Sequence, residues 1–388
     1  MQFAFTEEQK LFAESVRRFA EGALQPQALA RAHDPRFPRD VAQELARQGL
    51  LGIAMPPEDG GQGGSLMDAV IAIEQVAAAC PRSADVVQAG NFGPIRTFAE
   101  YASPEQKQRF LPDLLAGRKV ISLGMSEPEA GSAVTELRTT ARKDGDDYLI
   151  TGTKVFSTHS PDADVFLIYV RFGPGTKGIG SVLVERGTPG FSIGQPSPFM
   201  SGEEWCQLYF EDCRIPAENV LLGPGGFQKQ ISGFNVERIG NASRALALGR
   251  YAFERAREHA ATRRQFGRLL CEFQGLQWKF ADMALKLESA QLLLYRAAIN
   301  AGPTGLPDPY ETAIAKTACN LAGFEVANEC VQVMGGLGYS QEALTEYCMR
   351  RTRGWMIAGG SIEVLKNRIA EHIFNRRFDQ RAQRLAAE

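Results

Sequence analysis

The chain has 388 residues, 44% of them hydrophobic, and its 43 basic side chains are nearly balanced by 45 acidic ones. This balance gives no strong attraction for nucleic acid or an anionic membrane, so we exclude both as partners. The opening segment MQFAFTEEQK lacks the basic and apolar regions of a signal peptide, and no apolar run approaches the ~18 residues that span a bilayer, so we predict a soluble cytoplasmic protein.

Cysteine and histidine give little sign of disulfide or metal chemistry. The seven cysteines form no C-x-x-C pair, and the four histidines show no H-E-x-x-H spacing. In a cytosolic chain this pattern indicates reduced, mostly buried thiols. We therefore predict no metal ligands.

Residues 1–119 are predicted to form an N-terminal helical domain. Thr6 and Gln9 fit a capping box, and Phe12, Val16 and Phe19 then recur at helical spacing. The stretch PPEDGGQGGS interrupts this pattern with glycine and proline. We predict a loop between helices there.

Residues 120–226 are predicted to form a β domain. Short β-branched and aromatic runs, namely YLITGTKVF, DVFLIYV, IGSVLVE and QLYF, alternate with Gly-rich turns. We expect an antiparallel arrangement. The segment 173–178 reads G-x-G-x-x-G, but it lies between two strands and opens no helix, so a hairpin turn is favoured over a dinucleotide-binding loop.

Residues 227–388 are predicted to form a C-terminal helical bundle. Leu276, Phe280, Met283 and Leu287 mark one face of a long helix. Long helices of this kind favour an antiparallel bundle. Helices, then strands, then helices give an α+β fold, which excludes alternating βαβ units and hence a doubly wound sheet.

The stretch GMSEPEAGS follows a predicted strand and is rich in small residues and hydroxyl groups. Such a loop can bring backbone N–H groups and the hydroxyls of Ser126 and Ser132 against a phosphate or a ring edge. Taken alone, the stretch is more simply interpreted as a turn.

Six stretches in order carry a stronger signal: SEPEAGSAVTELRTTA, ITGTKVFST, FEDCRIPAENVL, TRRQFGRLLCEFQGLQ, QVMGGLGYS and WMIAGGSIEV. Together they resemble the motifs of the acyl-CoA dehydrogenase family over nearly the whole chain. The resemblance implies an N-terminal helical domain, a middle β-barrel domain and a C-terminal four-helix bundle, assembled as a homotetramer. It also implies FAD as cofactor, an acyl-CoA thioester as substrate and an electron-transfer flavoprotein as electron acceptor.

The same resemblance assigns roles to individual residues. It predicts FAD contacts near the flavin and along the cofactor from Leu123, Met125, Ser126, Gly131 and Ser132, with Phe156 packing on the flavin and Thr158 bonding near its N5 atom. It predicts contacts from a neighbouring subunit to the adenine-diphosphate end by Arg263, Gln265, Phe266, Gln332, Gly335 and Gly336, and adenine-side contacts by Ser361 and Glu363. It predicts substrate contacts by Ser132, Asn235 and Arg238. Taken singly, each residue has an ordinary explanation, so only the ordered set supports these roles.

The catalytic base is not where most of the family carries it. The common closing loop reads Y-E-G-T and its Glu removes the substrate α-proton, whereas the letters here are A-G-G-S and the base position is Gly359. Isovaleryl and long-chain enzymes and the crotonobetainyl-CoA reductase instead carry a Glu before an Arg on a bundle helix. GFNVERIGNAS resembles that arrangement and predicts Glu237 as the catalytic base, beside Arg238. An exposed helical ion pair is the ordinary alternative for Glu237.

The chemistry that the resemblance implies makes definite demands. A thioester α-proton is weakly acidic, so the site needs a positioned base and a donor for the developing enolate oxygen, while the β-hydride passes to flavin N5. By analogy with the family, the backbone N–H of Gly359 helps to hold the thioester carbonyl. The missing side chain at Gly359 predicts room for a branched, cyclic or otherwise bulky acyl group.

Three positions depart from the family pattern. Ala133 replaces the usual Asp, Arg351 stands where R-D-A-R has Asp, and SPFMSGEEW replaces a K-x-G-x-R segment. Within that last segment we interpret Glu203 and Glu204 as solvated loop acids, in preference to acids that recognise a polar or cationic acyl group. Alternative functions remain an enoyl-CoA reductase, a desulfinase or oxygenase-like flavoenzyme, and a non-catalytic FAD-binding subunit.

Overall fold

The computed structural model describes residues 5–302 and 305–378. Parts of the predicted first and third domains, at 1–4, 303–304 and 379–388, lie outside these described residues. Helices run from residue 7 to 115 and again from 227 to 373, and a sheet lies between them from 121 to 222. The predicted α+β fold, with helical, sheet and helical domains in that order, is confirmed.

The N-terminal domain is built around one buried helix, α4. Its helices are α1 (Glu7–Phe19), α2 (Ala28–Ala32), α3 (Arg39–Arg47), α4 (Leu66–Ala79), α5 (Ser83–Asn91), α6 (Pro94–Tyr101) and α7 (Pro104–Leu115). Val70, Ile71 and Ile73 of α4 are fully buried, and burying each such side chain contributes about 1.5–3 kcal/mol. Helix α4 packs against α1 and α5 of its own domain.

The predicted N-terminal signals are present in the structure. Thr6 and Gln9 form the reciprocal capping box of α1, and Ser65 with Asp68 forms another at the start of α4. Residues 56–65 are a loop between α3 and α4 that contains one 3-10 turn. Each cap satisfies backbone N–H groups that the first helical turn leaves without partners.

The middle domain is one mixed sheet. Its strands are β1 (Ile121–Gly124), β2 (Thr140–Asp144), β3 (Asp147–Thr158), β4 (Val165–Arg171), β5 (Ile179–Glu185), β6 (Phe191–Ile193), β7 (Ser197–Pro198), β8 (Glu204–Pro216) and β9 (Val220–Leu222). Their order is β6-β8-β3-β2-β4-β5-β9, with β1 paired to β4 and β7 to β8. The turn at 173–178 joins β4 to β5, which confirms the hairpin interpretation of its G-x-G-x-x-G letters.

The expectation of an antiparallel sheet is wrong for β1 and β2, which both pair in parallel with β4. Strand β1 pairs in parallel with β4, from Ile121 opposite Val165 to Gly124 opposite Ile168. A parallel pair needs a long connection, and the intervening hairpin of β2 and β3 supplies it. Alternation of side chains along a strand is the same in both pairings, so the sequence pattern could not distinguish them.

The C-terminal domain contains the helices α8 (Phe227–Thr262), α9 (Gln274–Ile299), α10 (Pro309–Met334), α11 (Gly336–Tyr339), α12 (Thr345–Trp355) and α13 (Ile362–Ile373), and a short hairpin of β10 (Arg264–Gln265) and β11 (Arg268–Leu269). Helices α8 and α10 approach closely, because a Cβ on Gly249 would lie only 2.8 Å from the Cα of Gly323. The predicted face of α9 is confirmed at Met283 and Leu287, which are buried. Helix α8 also packs against α4, and this contact joins the two helical domains.

All seven cysteines lie in the part of the chain that the structure describes. Every cysteine is a free thiol, and six of the seven are buried. The described residues contain no cluster of three or more His, Cys, Asp or Glu side chains suited to a metal ion. Across the same residues, no helix is both long enough and apolar enough to cross a membrane.

Candidate active site

The loop after β1 is organised around one buried ion pair. Lys154 on β3 donates from Nζ to Glu127 at 2.7 Å and to the carbonyl of Met125 at 3.3 Å. Glu127 also accepts from the backbone N–H groups of Arg138 at 2.6 Å and Thr139 at 2.9 Å. Burial opposes ionisation of Glu127, but Lys154 and these donors outweigh it and hold the pKa of the carboxyl below its usual value. The loop is therefore wrapped around a carboxylate.

Strand β3 lies alongside this loop and is tied to it by hydrogen bonds. Val155 donates its N–H to the Ser126 carbonyl at 2.9 Å, and the Ser157 hydroxyl donates to the Leu123 carbonyl at 2.7 Å. The chain thus brings the predicted FAD residues Leu123, Met125 and Ser126 next to Phe156 and Thr158. Gly131 and Ser132 are exposed farther along the same loop.

Phe156 has the geometry of a ligand-facing aromatic residue. It is 59% exposed, and its backbone is left-handed with φ of 57°. It lies where the register between β3 and β8 shifts, between Lys154 and Ser157, and its ring centroid is 4.5 Å from that of Trp205. A left-handed non-glycine residue costs about 1–2 kcal/mol, and such backbone strain is concentrated at functional sites.

These residues fit FAD. An exposed aromatic ring beside polar backbone and hydroxyl groups is suited to a planar, partly apolar ring system with hydrogen-bonding edges. We name this surface the flavin ledge; it comprises Leu123, Met125, Ser126, Phe156 and Thr158. When bound, FAD supplies the acceptor for a hydride.

The six residues predicted to bind the adenine-diphosphate end lie on the surface of the C-terminal domain. Arg263, Gln265 and Phe266 are at the β10–β11 hairpin, and Gln332, Gly335 and Gly336 are at the end of α10 and the start of α11; all six are exposed. Phe266 is 93% exposed and has φ of 52°. Their proposed contact with the FAD of a neighbouring subunit stays a prediction.

The closing loop runs between α12 and α13. Gly359 and Gly360 have φ of 70° and 95°, in the left-handed region that favours glycine. Ser361 then caps α13, and its hydroxyl accepts from the N–H of Val364 at 3.4 Å. Glu363 is exposed in the first turn of α13. The adenine-side contacts expected of Ser361 and Glu363 stay predictions.

Two side chains of α10 hold this loop from behind. Lys316 donates from Nζ to the carbonyls of Trp355 and Gly360, each at 3.0 Å, and Asn320 donates to the Trp355 carbonyl at 2.6 Å. Burial lowers the pKa of Lys316 to about 7, although Glu237 opposes the shift. A Cβ on Gly359 would meet Lys316 Cε at 3.5 Å, which is an ordinary contact.

Helix α8 meets the loop through Arg238. Its Nε donates to the Gly359 carbonyl at 3.1 Å, and its Nη1 donates to Asn235 Oδ1 at 2.8 Å. The predicted substrate residues Asn235 and Arg238 are therefore next to Gly359. Among the described residues no hydrogen-bond acceptor faces the Gly359 N–H, so this donor is free for a ligand oxygen.

Glu237 precedes Arg238 on α8 and has a distinctive environment. Its Oε1 accepts from Gln88 Nε2 at 2.7 Å, whereas its Oε2 is buried without a hydrogen-bond partner among the described residues. Burial raises the pKa of Glu237 to about 7, opposed by the Gln88 hydrogen bond and by the charges of Arg244 and Lys316. This environment contradicts the alternative of an exposed helical ion pair.

Comparison with known proteins identifies the family. The model of the acyl-CoA dehydrogenase N-terminal domain matches residues 6–118, that of the middle domain 122–213 and that of the C-terminal domain 225–374. The chain belongs to the acyl-CoA dehydrogenase family. Members are FAD-dependent oxidoreductases that act on CH–CH bonds, and the resemblance seen in the sequence is confirmed.

Similar acyl-CoA dehydrogenases and a related enzyme match nearly the whole chain. The short-chain specific acyl-CoA dehydrogenase of Clostridium acetobutylicum is 35% identical over 379 residues, 96% of this chain and 100% of that protein. The 3-sulfinopropanoyl-CoA desulfinase of Paraburkholderia xenovorans is 32% identical over 98% of this chain and 99% of its own. The structure of butyryl-CoA dehydrogenase from Megasphaera elsdenii has a TM-score of 0.90 at 31% identity, covering 96% of this chain and 100% of that one.

Two departures from the acyl-CoA dehydrogenase pattern prove to be partners. Glu203 is only 4% exposed and pairs with both Arg351 and Arg82. Its interpretation as a solvated loop acid is therefore wrong, because α5 and α12 bring two guanidinium groups onto it. Glu204, the next residue, remains partly exposed.

Sequence reasoning missed several polar residues of this acyl-CoA dehydrogenase site. Glu127 and Lys154 lie inside the motifs SEPEAGS and ITGTKVF, so charged letters within those motifs were an available signal. Gln88 and Arg244 carry no local signal, because Gln88 is 149 residues from its partner Glu237. A lone lysine in an Ala-rich helix, Lys316, likewise resembles a surface residue.

Proposed function

We propose that this chain oxidises an acyl-CoA thioester to its α,β-unsaturated product with Glu237 as the catalytic base. The observation that supports this proposal is the environment of Glu237, whose Oε1 is anchored by Gln88 while its buried Oε2 has no partner among the described residues. A desolvated carboxylate with pKa about 7 is a suitable base near neutral pH. Gly359 cannot serve instead, because it has no side chain.

Each neighbouring group has a role in this reaction. Glu237 Oε2 removes the α-proton, and the free Gly359 N–H holds the thioester carbonyl, where negative charge develops. Arg238 holds the closing loop against α8 by donating to the Gly359 carbonyl, and Asn235 accepts a second hydrogen bond from the same guanidinium group. The flavin ledge would hold the FAD ring, which would accept the β-hydride of the substrate while Glu237 takes the α-proton.

The acyl group is proposed to be branched, cyclic or otherwise bulky. A side chain is absent at Gly359, but Lys316 Cε and Asn241 Nδ2 would lie 3.5 and 3.6 Å from a Cβ there. The position of a Cβ is thus already closely surrounded. We therefore propose that the space for a bulky acyl group lies where the outer atoms of a longer side chain would lie. Assays across acyl-CoA esters would contradict this proposal if short straight chains reacted best.

The decisive experiment compares wild type with Glu237→Gln. Anaerobic mixing with a panel of acyl-CoA esters should bleach the flavin in wild type, and the rate should fall by about 10²-fold or more in the variant, since general-base catalysis contributes that much. Flavin content is measured in parallel and should be equal. Equal bleaching rates in the two proteins would remove Glu237 from the mechanism, and yellow protein that no ester bleaches would favour a non-catalytic subunit.

A desulfinase activity is the second candidate. Gly359 in the closing loop and Ala133 after the A-G-S letters are the features that favour it, and a desulfinase is among the similar proteins. Release of sulfite from 3-sulfinopropanoyl-CoA, unaffected by Glu237→Gln, would support this activity. An enoyl-CoA reductase would use the same residues in the opposite direction.

We further propose a cytoplasmic homotetramer that passes electrons to an electron-transfer flavoprotein. Four large apolar side chains of α9 are exposed at every seventh position: Trp278 (63%), Leu285 (67%), Leu292 (47%) and Ile299 (51%). A stripe of this kind is typical of a helix that packs against another chain. A second chain would also supply the predicted contacts to the adenine-diphosphate end of FAD.

A further inference from the structure

A cluster of buried charges lies behind Glu237. We name it the arginine cluster; its members, each at most 7% exposed, are Arg82 just before α5, Asp85 of α5, Glu203 just before β8, Arg244 of α8 and Arg351 of α12. Three guanidinium groups thus face two carboxylates. With both carboxylates ionised, the cluster carries one positive charge in excess, and a buried excess charge is costly unless another anion is near.

Both carboxylates of the cluster form ion pairs with more than one arginine. Asp85 pairs with Arg82 at 2.8 Å, with Arg351 at 3.0 Å and with Arg244. Glu203 pairs with Arg82 and Arg351. Burial opposes ionisation of Asp85, but Arg244, Arg351 and Arg82 outweigh it and hold its pKa below the usual range. The excess charge is therefore nearest to Arg244, which has one carboxylate partner.

Arg244 connects the cluster to Glu237 through one amide. Its Nη1 donates to Gln88 Oε1, and its guanidinium carbon lies 4.1 Å from the centre of the Trp355 ring. Arginine can only donate, so the oxygen of the Gln88 amide must face Arg244 and its nitrogen must face Glu237. The amide orientation is thereby fixed, and Gln88 Nε2 always presents a donor to Glu237 Oε1.

Two nearby positive charges lower the pKa of Glu237. Arg244 on the same helix and Lys316 on α10 are the charges that act on Glu237, and both favour its ionised form. His159 faces the cluster, and burial together with Arg82 lowers its pKa to about 3, so it adds no charge. Gly93, just before α6, lies next to Glu237 Oε2: a Cβ at Gly93 would be 3.0 Å from that oxygen.

We propose that Gln88 is a positioning residue that orients Glu237 and links its ionised form to the excess positive charge of the arginine cluster. The proposal rests on the proposed role of Glu237 as the base. Gln88 occupies Oε1, and the other oxygen is left to face the substrate. Gln88 itself touches neither substrate nor the reacting atoms, so it acts only through Glu237.

The test measures the pH profile of kcat/KM for flavin-dependent oxidation by the FAD-loaded enzyme. Gln88→Met keeps the length of the side chain but removes the donor, so the acid limb should move up by about one pH unit and activity at pH 6 should fall about tenfold. Gln88→Glu keeps the pairing with Arg244 but places a carboxylate beside Glu237, and should move the limb further up. Gln108→Met makes the same change at an exposed site on α7 and should leave the profile unchanged.

A double variant separates positioning from general damage. In the Glu237→Gln background, Gln88→Met should cause less than about a twofold further loss, because residues that act as a unit are not additive. An unshifted limb in both Gln88 variants, or a full tenfold loss in the Glu237→Gln background, would overturn the inference. If Glu237→Gln alone were as fast as wild type, the proposed role of Glu237 as the base would be wrong. That result differs from the two results that would overturn only the role of Gln88. Flavin content and thermal midpoint are recorded for every variant, and Gln88→Glu serves where Gln88→Met does not fold.

Discussion

At the scale of single residues, the chemistry depends on where one carboxylate lies. In most of the family the closing loop carries the acid. Here the loop position is Gly359, which has no side chain, and the acid is Glu237 on helix α8. Both belong to one site because Arg238, next to Glu237, donates to the Gly359 carbonyl at 3.1 Å.

The pKa of Glu237 gives a prediction for the pH dependence of activity. A base acts when deprotonated, so a pKa raised by burial to about 7 means that activity is lost as pH falls below 7. We expect kcat/KM to fall about tenfold per pH unit below this value and to level above it. Initial rates at constant ionic strength from pH 5.5 to 8.5 would measure this. An acid limb near the ordinary pKa of glutamate would contradict the assignment.

The backbone of the closing loop predicts the effect of adding a side chain. Gly359 has φ of 70°, so Gly359→Ala should lower the free energy of unfolding by about 1–2 kcal/mol. Gly354 is inside α12, where an added Cβ meets no atom within 4 Å. The control Gly354→Ala should therefore be neutral or stabilising by up to about 1 kcal/mol. Urea unfolding measures both, and equal effects would contradict the argument.

At the scale of elements, the arginine cluster holds four segments together. The N-terminal end of α5 contributes its N-cap residue Arg82 and Asp85, α8 contributes Arg244, α12 contributes Arg351, and the loop before β8 contributes Glu203. These contacts connect all three domains. The positions that depart from the family pattern, Glu203 and Arg351, compensate each other within this cluster.

Removing one partner of that pair should be costly. Glu203→Gln leaves Arg82 and Arg351 with less negative charge in a buried site, so we expect a loss of about 3–5 kcal/mol in the free energy of unfolding. Glu204→Gln makes the same change one residue later, at a partly exposed side chain, and should cost less than about 1 kcal/mol. Chemical unfolding of the two variants compares them directly; similar losses would show that the cluster does not stabilise the fold.

At the scale of the whole molecule, the exposed apolar stripe on α9 favours packing against another chain. Leu285 is 67% exposed in the middle of that stripe. A lysine there would need to keep its charge hydrated, so Leu285→Lys should weaken assembly.

Light scattering coupled to gel filtration measures this effect. We expect wild type at the mass of a tetramer and Leu285→Lys at a smaller mass. FAD retention should also fall if, as proposed, a neighbouring subunit contacts the adenine-diphosphate end of the cofactor. Leu11, 65% exposed on α1, provides the control, since Leu11→Lys alters a similar side chain away from the stripe. An unchanged mass for Leu285→Lys would contradict this assembly.

Local signals in the sequence determined the order of the domains, the capping boxes and the hairpin turn. Thr6 with Gln9, or Met283 with Leu287, can be predicted because the partners are close along the chain and their spacing matches a helix. Six ordered motifs likewise determined the family and placed Phe156 and Gly359 in one predicted site, to which the stretch GFNVERIGNAS added Glu237.

Tertiary structure alone decided which distant residues became partners. Gln88 meets Glu237 across 149 residues, Glu203 meets Arg351, and β1 pairs in parallel with β4. Neither periodicity nor spacing records such contacts, because they depend on how whole elements pack. The same packing removes water from Glu237 and so raises its pKa. The sequence by itself determined that an acid stands before Arg238, and the fold decided that this acid is anchored on one oxygen while the other oxygen is buried.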